Sequence, residues 1–394
     1  MEQPMTRRDR VTITMVFAVH GMVGASFLTR VPWLAERLDL SNGQLGIALV
    51  CPAIGAFLTM PLTSGIVHRL GGRAATRLLI VLWCAAISLP ALMPSLPALC
   101  AALLLQGAAA GTADVAMNAQ GVQIERGLGR SIMSSLHGFW SVGALAGAGI
   151  GAAITYADVD ARIHLAGMSA LLIGLGLYYT GRLPEAATKS DDAKPPRFVL
   201  PGRAVIGVGI VGFCAAFIEG AAHDWTTVFV AKVTESSQGT AALAFSFFAA
   251  TMAVTRIVGD LVVQRIGPVW TVRASGVSAI AGTVIVALSR DPAPAIAGFV
   301  LIGLGVAVII PLAISAAGRA SAVPSQAIAG VVTIMYPASL FSPGAMGGVA
   351  ELTSLPWSFV MLGAVALVML GLAGAVREKK AAPSGTGEPA LSQP

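Results

Sequence analysis

Charge is what this chain has least of. Asp, Glu, Lys and Arg together make up 11% of its 394 residues, under half of the roughly 25% that a soluble domain carries. With 56% hydrophobic residues and a mean hydropathy of +0.80, a water-soluble domain is excluded. Cysteine is scarce as well. Cys51, Cys84, Cys100 and Cys214 all lie in apolar runs, so no disulfide framework is expected. No G-x-x-x-x-G-K-[ST] phosphate loop occurs, which argues against ATP drive. The 45 glycines and 22 prolines would suggest disorder in a polar chain. Here they interrupt apolar runs, where membrane helices tolerate them because neighbours satisfy the freed backbone groups.

What the chain has is hydrophobic length. A bilayer needs about 20 apolar residues per helix, and such runs occur near 11–29, 44–66, 77–94, 98–122, 131–156, 162–180, 204–231, 240–263, 271–289, 293–316, 327–350 and 357–376. These predict an all-α integral membrane protein with about twelve transmembrane helices. Arg7, Arg8 and Arg10 ahead of the first run imitate a signal peptide, but the run is long enough to span and many more follow, so it reads as the first span. The net charge of +6 sits in short loops, so it reads as a topology signal and not as a nucleic-acid footprint. Arg256 lies inside a run; of the other Lys and Arg residues, nineteen fall in alternate loops and the tails and five in the remaining loops. The excess marks the cytoplasmic side, placing both termini there in a multi-pass protein of the inner (cytoplasmic) membrane.

The longest polar connection, 181–203, is charged and proline-rich. It separates an N-terminal six-helix half (1–180) from a C-terminal one (204–376), and 377–394 forms a polar tail expected to be disordered. The halves echo each other. Arg69, Gly71 and Arg77 recur as Arg265, Gly267 and Arg273, and Gly107 as Gly303, all 196 residues on; Gly143 to Gly147 is echoed by Gly344 to Gly348. Two such repeats related by an axis along the membrane normal suit a rocking transporter.

Polar residues inside spans are functional candidates by default. In the fourth span Gly107, Gly111, Asp114, Asn118, Gly121 and Glu125 follow steps of four and three, so one helix face carries them all. Asp114 in apolar surroundings is a candidate for proton exchange, and Asn118 can both donate to and accept from a hydroxyl-rich solute. The fifth span offers His137, Trp140 and Ser141 ahead of a seam of small residues, Gly143, Gly147 and Gly151. The seventh carries Glu219 and His223 four apart, with Asp224 and Trp225 beyond them as outer gate or interface anchor. Asp224 lies off the Glu219/His223 stripe, which argues against a metal site. In the eighth span Arg256 and Asp260, also four apart, are expected to form a salt bridge at the inner gate, or to pair with the loop around Arg69. No cofactor is expected beyond a coupling proton.

The layout resembles the major facilitator superfamily. Residues Ser64 to Arg73, SGIVHRLGGR, are similar to its loop signature glycine-x-x-x-aspartate-arginine-x-glycine-arginine, with Ser64 in place of the first glycine and His68 in place of the aspartate. Within the superfamily, the fourth span resembles the fucose/proton symporter-like branch, which places an acid four residues before an asparagine, as in Asp114 and Asn118. That resemblance implies sugar binding and proton coupling. The branch also has an acid in the first span, where this chain has none before Arg30. The run from Gly143 to Gly151 looks like the glycine-proline motif of drug/proton antiporters, with Ala148 at the proline position. The expected function is therefore proton-coupled transport of a small, sugar-like solute by a monomer in the bilayer. Efflux of amphipathic compounds is the runner-up, and a non-transporting sensor or scaffold lies further off.

Overall fold

A computed structural model describes residues 5–129, 132–185, 203–319 and 324–377. The predicted tail and most of the predicted linker lie outside them. Among the described residues, eleven helices are long and apolar enough to cross a membrane: Arg7–Arg37, Asn42–Leu70, Gly72–Leu92, Leu96–Leu128, Ser135–Tyr156, Ala161–Thr180, Val205–Val233, Gln238–Gly259, Pro268–Leu288, Pro292–Arg319 and Gln326–Leu352. A shorter apolar helix, Leu355–Gly371, completes the set; its 17 residues rise about 26 Å, close to the thickness of a hydrocarbon core. These are spans 1 to 12 below. The end of the bundle where span 1 begins is called the near end, and the opposite one the far end.

Local chemistry sets where the spans start. Thr6 and Asp9 form a capping box at span 1, and Ser41 and Gln44 form another at span 2, each satisfying two otherwise unpaired amides. Spans 9 and 10 open on a proline and span 12 has one at its second position, where a missing N–H costs nothing. The exterior is apolar, with Ile163, Ile257, Leu288 and Leu352 all more than two-thirds exposed, as lipid contact requires.

Packing repeats between the halves. Span 1 packs on span 5 as span 7 does on span 11; span 2 on span 4 as 8 on 10; and span 3 on span 6 as 9 on 12. Across the divide, span 2 meets span 11 and span 5 meets span 8. Exchanging the halves converts one of those pairs into the other, which is the signature of a pseudo-two-fold axis. The turn after span 2 and the turn after span 8 confirm the repeat residue by residue. Gly71 has φ 79° and ψ 156°, and Gly267 has φ 80° and ψ 161°, a backbone region that only glycine occupies without strain.

Glycines also set the closest approaches. A Cβ at Gly107 would strike the Pro52 backbone, and one at Gly143 the Ala18 carbonyl oxygen. The seam of span 5 is thus filled by span 1, inside the protomer. Its echo in span 11 does other work: Gly347 meets Gly46 across the divide, whereas the contact of span 7 with span 11 takes its glycines, Gly209, Gly212 and Gly220, from span 7.

Most cross-half hydrogen bonds lie at the far end. Glu351 Oε2 accepts from the Gly43 amide at 2.8 Å, and Gln238 Nε2 donates to Glu36 Oε2 at 2.7 Å. Lys232 Nζ donates to the Leu40 carbonyl at 3.3 Å, and the Tyr156 and Thr240 hydroxyls meet at 3.2 Å. Toward the near end, the Tyr336 hydroxyl meets Met60 Sδ at 3.1 Å. The divide is closed at the far end.

Candidate solute-binding and coupling site

The stripe on span 4 divides its work along the helix. Gly107 and Gly111 press on span 2, against Pro52 and Ala56, and Gly121 meets Leu136 and Met133 at the start of span 5. Glu125 Oε2 accepts from the Ile132 and Met133 amides at 2.6 and 2.9 Å, capping that helix. Between these packing segments the stripe leaves Asp114 and Asn118 half-buried. Asn118 Nδ2 donates to the Asp114 carbonyl at 2.8 Å and to Asp114 Oδ1 at 3.1 Å, so the amide orients the acid from one turn away.

Around Asp114 the N-terminal half gathers two histidines. Asp114 is close enough to act electrostatically on both His20 of span 1 and His137 of span 5. His20 is buried: its Nε2 meets the Ala110 carbonyl at 3.3 Å, and its Nδ1 accepts from Trp140 Nε1 at 3.0 Å. The predicted site residue Trp140 therefore spends its N–H on holding His20. His137 is exposed and stands edge-on to Phe17 at 5.4 Å. Sequence reasoning passed over His20, a lone histidine in an apolar span; the available signal was that spans 1 and 5 each carry one.

The C-terminal half differs from expectation. Arg256 pairs with Glu219 of span 7, a partner not anticipated: its Nη2 donates to Glu219 Oε1 at 2.6 Å. The side chain of Asp260 lies outside the described residues. The cause is in span 10, which breaks after Val306. Pro311, lacking an N–H, leaves the Ala307 carbonyl without its helical donor. Arg256 Nε donates to that oxygen at 3.4 Å, so the guanidinium is drawn inward between spans 7 and 10 and away from its own helix surface. His223, one turn from Glu219 on span 7, has its Nδ1 3.1 Å from Asp224 Oδ1. Trp225, expected near an interface, is fully buried. Arg69, expected at the gate, is exposed and has no ion pair among the described residues; in its loop Arg73 pairs instead with Glu185 at 3.1 Å.

These groups form one layer. Asp114 stands 18 residues from the far end of its helix at Leu96, and Arg256 is 18 from Gln238. Tyr336 is 16 from Leu352 and Glu219 is 14 from Val233. At about 1.5 Å per residue they lie at similar depth, roughly midway along the helices. Across the divide Asp114 acts on Tyr336, and Arg256 on His137. Opposite charges from the two halves thus face a common polar layer, shut off at the far end and partly exposed: the side chains of Arg256 and Glu219 keep 30% and 23% of their surface.

The model of the Major Facilitator Superfamily matches residues 13–322. The chain belongs to that superfamily. An uncharacterized MFS-type transporter of Yersinia pestis is 33% identical over 371 residues, covering 94% of this chain and 95% of the relative. An uncharacterized transporter of Sinorhizobium fredii is 31% identical over 365 residues, covering 92% and 96%. Among solved structures, the nucleoside transporter NupG superposes with a TM-score of 0.73 at 15% identity over 94% of this chain and the whole of that one. The fucose transporter FucP in its outward conformation gives 0.62 at 14%, over 94% and 99%. As a member of the superfamily, the protein is a membrane transporter that works by alternating access between its two halves.

Proposed function

We propose that this superfamily member is a proton-coupled secondary transporter for a small hydroxylated solute, acting as a monomer in the cytoplasmic membrane with both termini inside. The observation that carries the reading is the polar layer itself, in which Asp114 and Asn118 face Arg256 and Glu219 across the divide. A solute held between them touches both halves, so rocking one half against the other carries it from side to side. Asp114 is the acid that exchanges a proton in the N-terminal half, and Asn118 fixes its orientation. Two transporters of this fold move a nucleoside and, together with a proton, fucose; ring hydroxyls of that kind suit an acid–amide pair.

The test is flux in proteoliposomes under an inward proton gradient, with sugars, sugar acids, amino acids and cationic dyes as candidates. A solute that drives proton movement in the wild type and not in Asp114→Asn supports the reading. Outward movement of dyes that is insensitive to Asn118→Ala would replace it with efflux. Orientation is tested separately by a cysteine at Asp291 on the far end, which should react with an impermeant maleimide from outside intact cells; reaction only after lysis reverses the topology.

A further inference from the structure

Two features of the Arg256–Glu219 pair are unusual for a structural salt bridge. It is incomplete on both sides. Glu219 Oε2 is buried and accepts no hydrogen bond, and Ser342 Oγ, packed against Gly220, is also buried and unpartnered. Arg256 uses Nε and Nη2, while Nη1 has no partner among the described residues, and the side chain remains 30% exposed. A planar guanidinium presents two parallel donors to one carboxylate, and here one is unoccupied.

We propose that the solute carries a carboxylate which displaces Glu219 from Arg256, and that Glu219 takes up one proton as it is displaced. This inference rests on the transport reading above and narrows its solute from sugar-like to hydroxylated acid. The charge balance requires the proton. The empty pair sums to zero; a solute carboxylate on Arg256 beside an ionised Glu219 would leave a second negative charge in a largely dehydrated layer, which is costly. The incoming proton binds the freed Glu219 carboxylate, and the sum returns to zero. The rest of the solute extends across the divide, where Asp114 and Asn118 accept from its hydroxyls.

Other titratable groups share the layer, and Glu219 is the one whose carboxylate the solute displaces. Arg256 comes from span 8, Tyr336 and Ser342 from span 11, and His223 and Asp224 lie one turn along span 7, bonded to each other. From the other half, His20, Asp114 and His137 contribute to the same layer. Span 12 carries no ionisable side chain, and span 10 none before Arg319. Arg256 is the cation in the set that is bonded to Glu219.

The probe is acetate, with acetamide and chloride as controls, read as the shift in thermal midpoint of the full chain in detergent. In the wild type, acetate should stabilise and acetamide should not, and its apparent affinity should weaken about tenfold per pH unit between about pH 6 and pH 8, because each acetate brings a proton. Glu219→Gln, which mimics the protonated carboxyl, should bind acetate with no pH dependence over that range, and Arg256→Gln should not bind it. Equal stabilisation by acetamide, an acetate effect that survives Arg256→Gln, or a wild-type affinity indifferent to pH each overturns the proposal. The wild-type pH series stands even where a variant fails to fold. Acetate binding of this kind in a protein that moves no solute would keep the site and remove the transport reading; flux of neutral sugars without any acetate effect would do the reverse.

Discussion

Each half of the transporter places one acid near mid-depth, and the two acids are held in opposite ways. Asp114 is supported from within its own helix, by the Asn118 amide one turn on, which donates to both its carboxylate and its backbone carbonyl, and it faces histidines. Glu219 is held from a different helix, by an arginine that is itself anchored on the broken span 10. The halves share an architecture down to the dihedral angles of Gly71 and Gly267, so the difference comes from side chains and from the break in span 10, whose counterpart, span 4, is continuous. Duplicated scaffold and unlike chemistry together suit a carrier. Symmetry lets the two ends open in turn, while asymmetry gives a solute one orientation.

The sharpest way to break the comparison is to neutralise one acid at a time. Asp114→Asn should reduce proton-coupled flux at least about a hundredfold, within the range expected when an essential proton carrier is lost, while leaving the thermal midpoint near that of the wild type. Solute flux at the wild-type rate would end the role assigned to Asp114. In the C-terminal half the expected loss is in stability as well as flux. Arg256→Gln leaves Glu219 charged and without its partner, costing about 2 kcal/mol, below the roughly 3–5 kcal/mol of a fully buried pair because both side chains are partly exposed. Double substitution with Glu219→Gln should recover most of that stability; no recovery in the double-mutant cycle would mean the pair is not coupled.

The small-residue seams give a milder contrast. Gly143→Ala drives a methyl group into the Ala18 backbone and should cost about 1–3 kcal/mol. Gly149→Ala in the same span meets open space and should be neutral or gain up to about 1 kcal/mol of helix propensity. Similar thermal midpoints for the two would show that the seam is not packed as described. Smallest is the difference between the two repeated turns. Gly71→Ala and Gly267→Ala should each cost about 1–3 kcal/mol for the same dihedral strain, with Gly71 slightly worse because its Cβ would also approach Glu185 at 3.2 Å. A large inequality would break the pseudo-symmetry at that turn.

Much of the fold was legible because its rules are local. Apolar length needs no partner to be recognised, and an acid four residues from an asparagine on one helix is a matter of periodicity. The Asp114–Asn118 contact was therefore readable before any packing was known. The pairing of Arg256 with Glu219 was not legible, for the complementary reason. Spacing of i and i+4 permits a pair but does not choose it over a partner on another helix, and the deciding group was a carbonyl at Ala307 freed by Pro311. His20 was missed likewise: nothing near it in sequence reveals that Trp140 and Asp114 converge on it from spans 5 and 4.

By itself, then, the sequence determined the solvent this protein folds in, the number of its spans, the repeat between its halves and the face of span 4 that carries an acid, since hydrophobic length, helical period and glycine placement act over a few turns. Only the tertiary structure decided which charge pairs with which, which glycine seams are internal and which cross the divide, and which end is closed, because those outcomes depend on helices distant in sequence competing for the same buried hydrogen bonds.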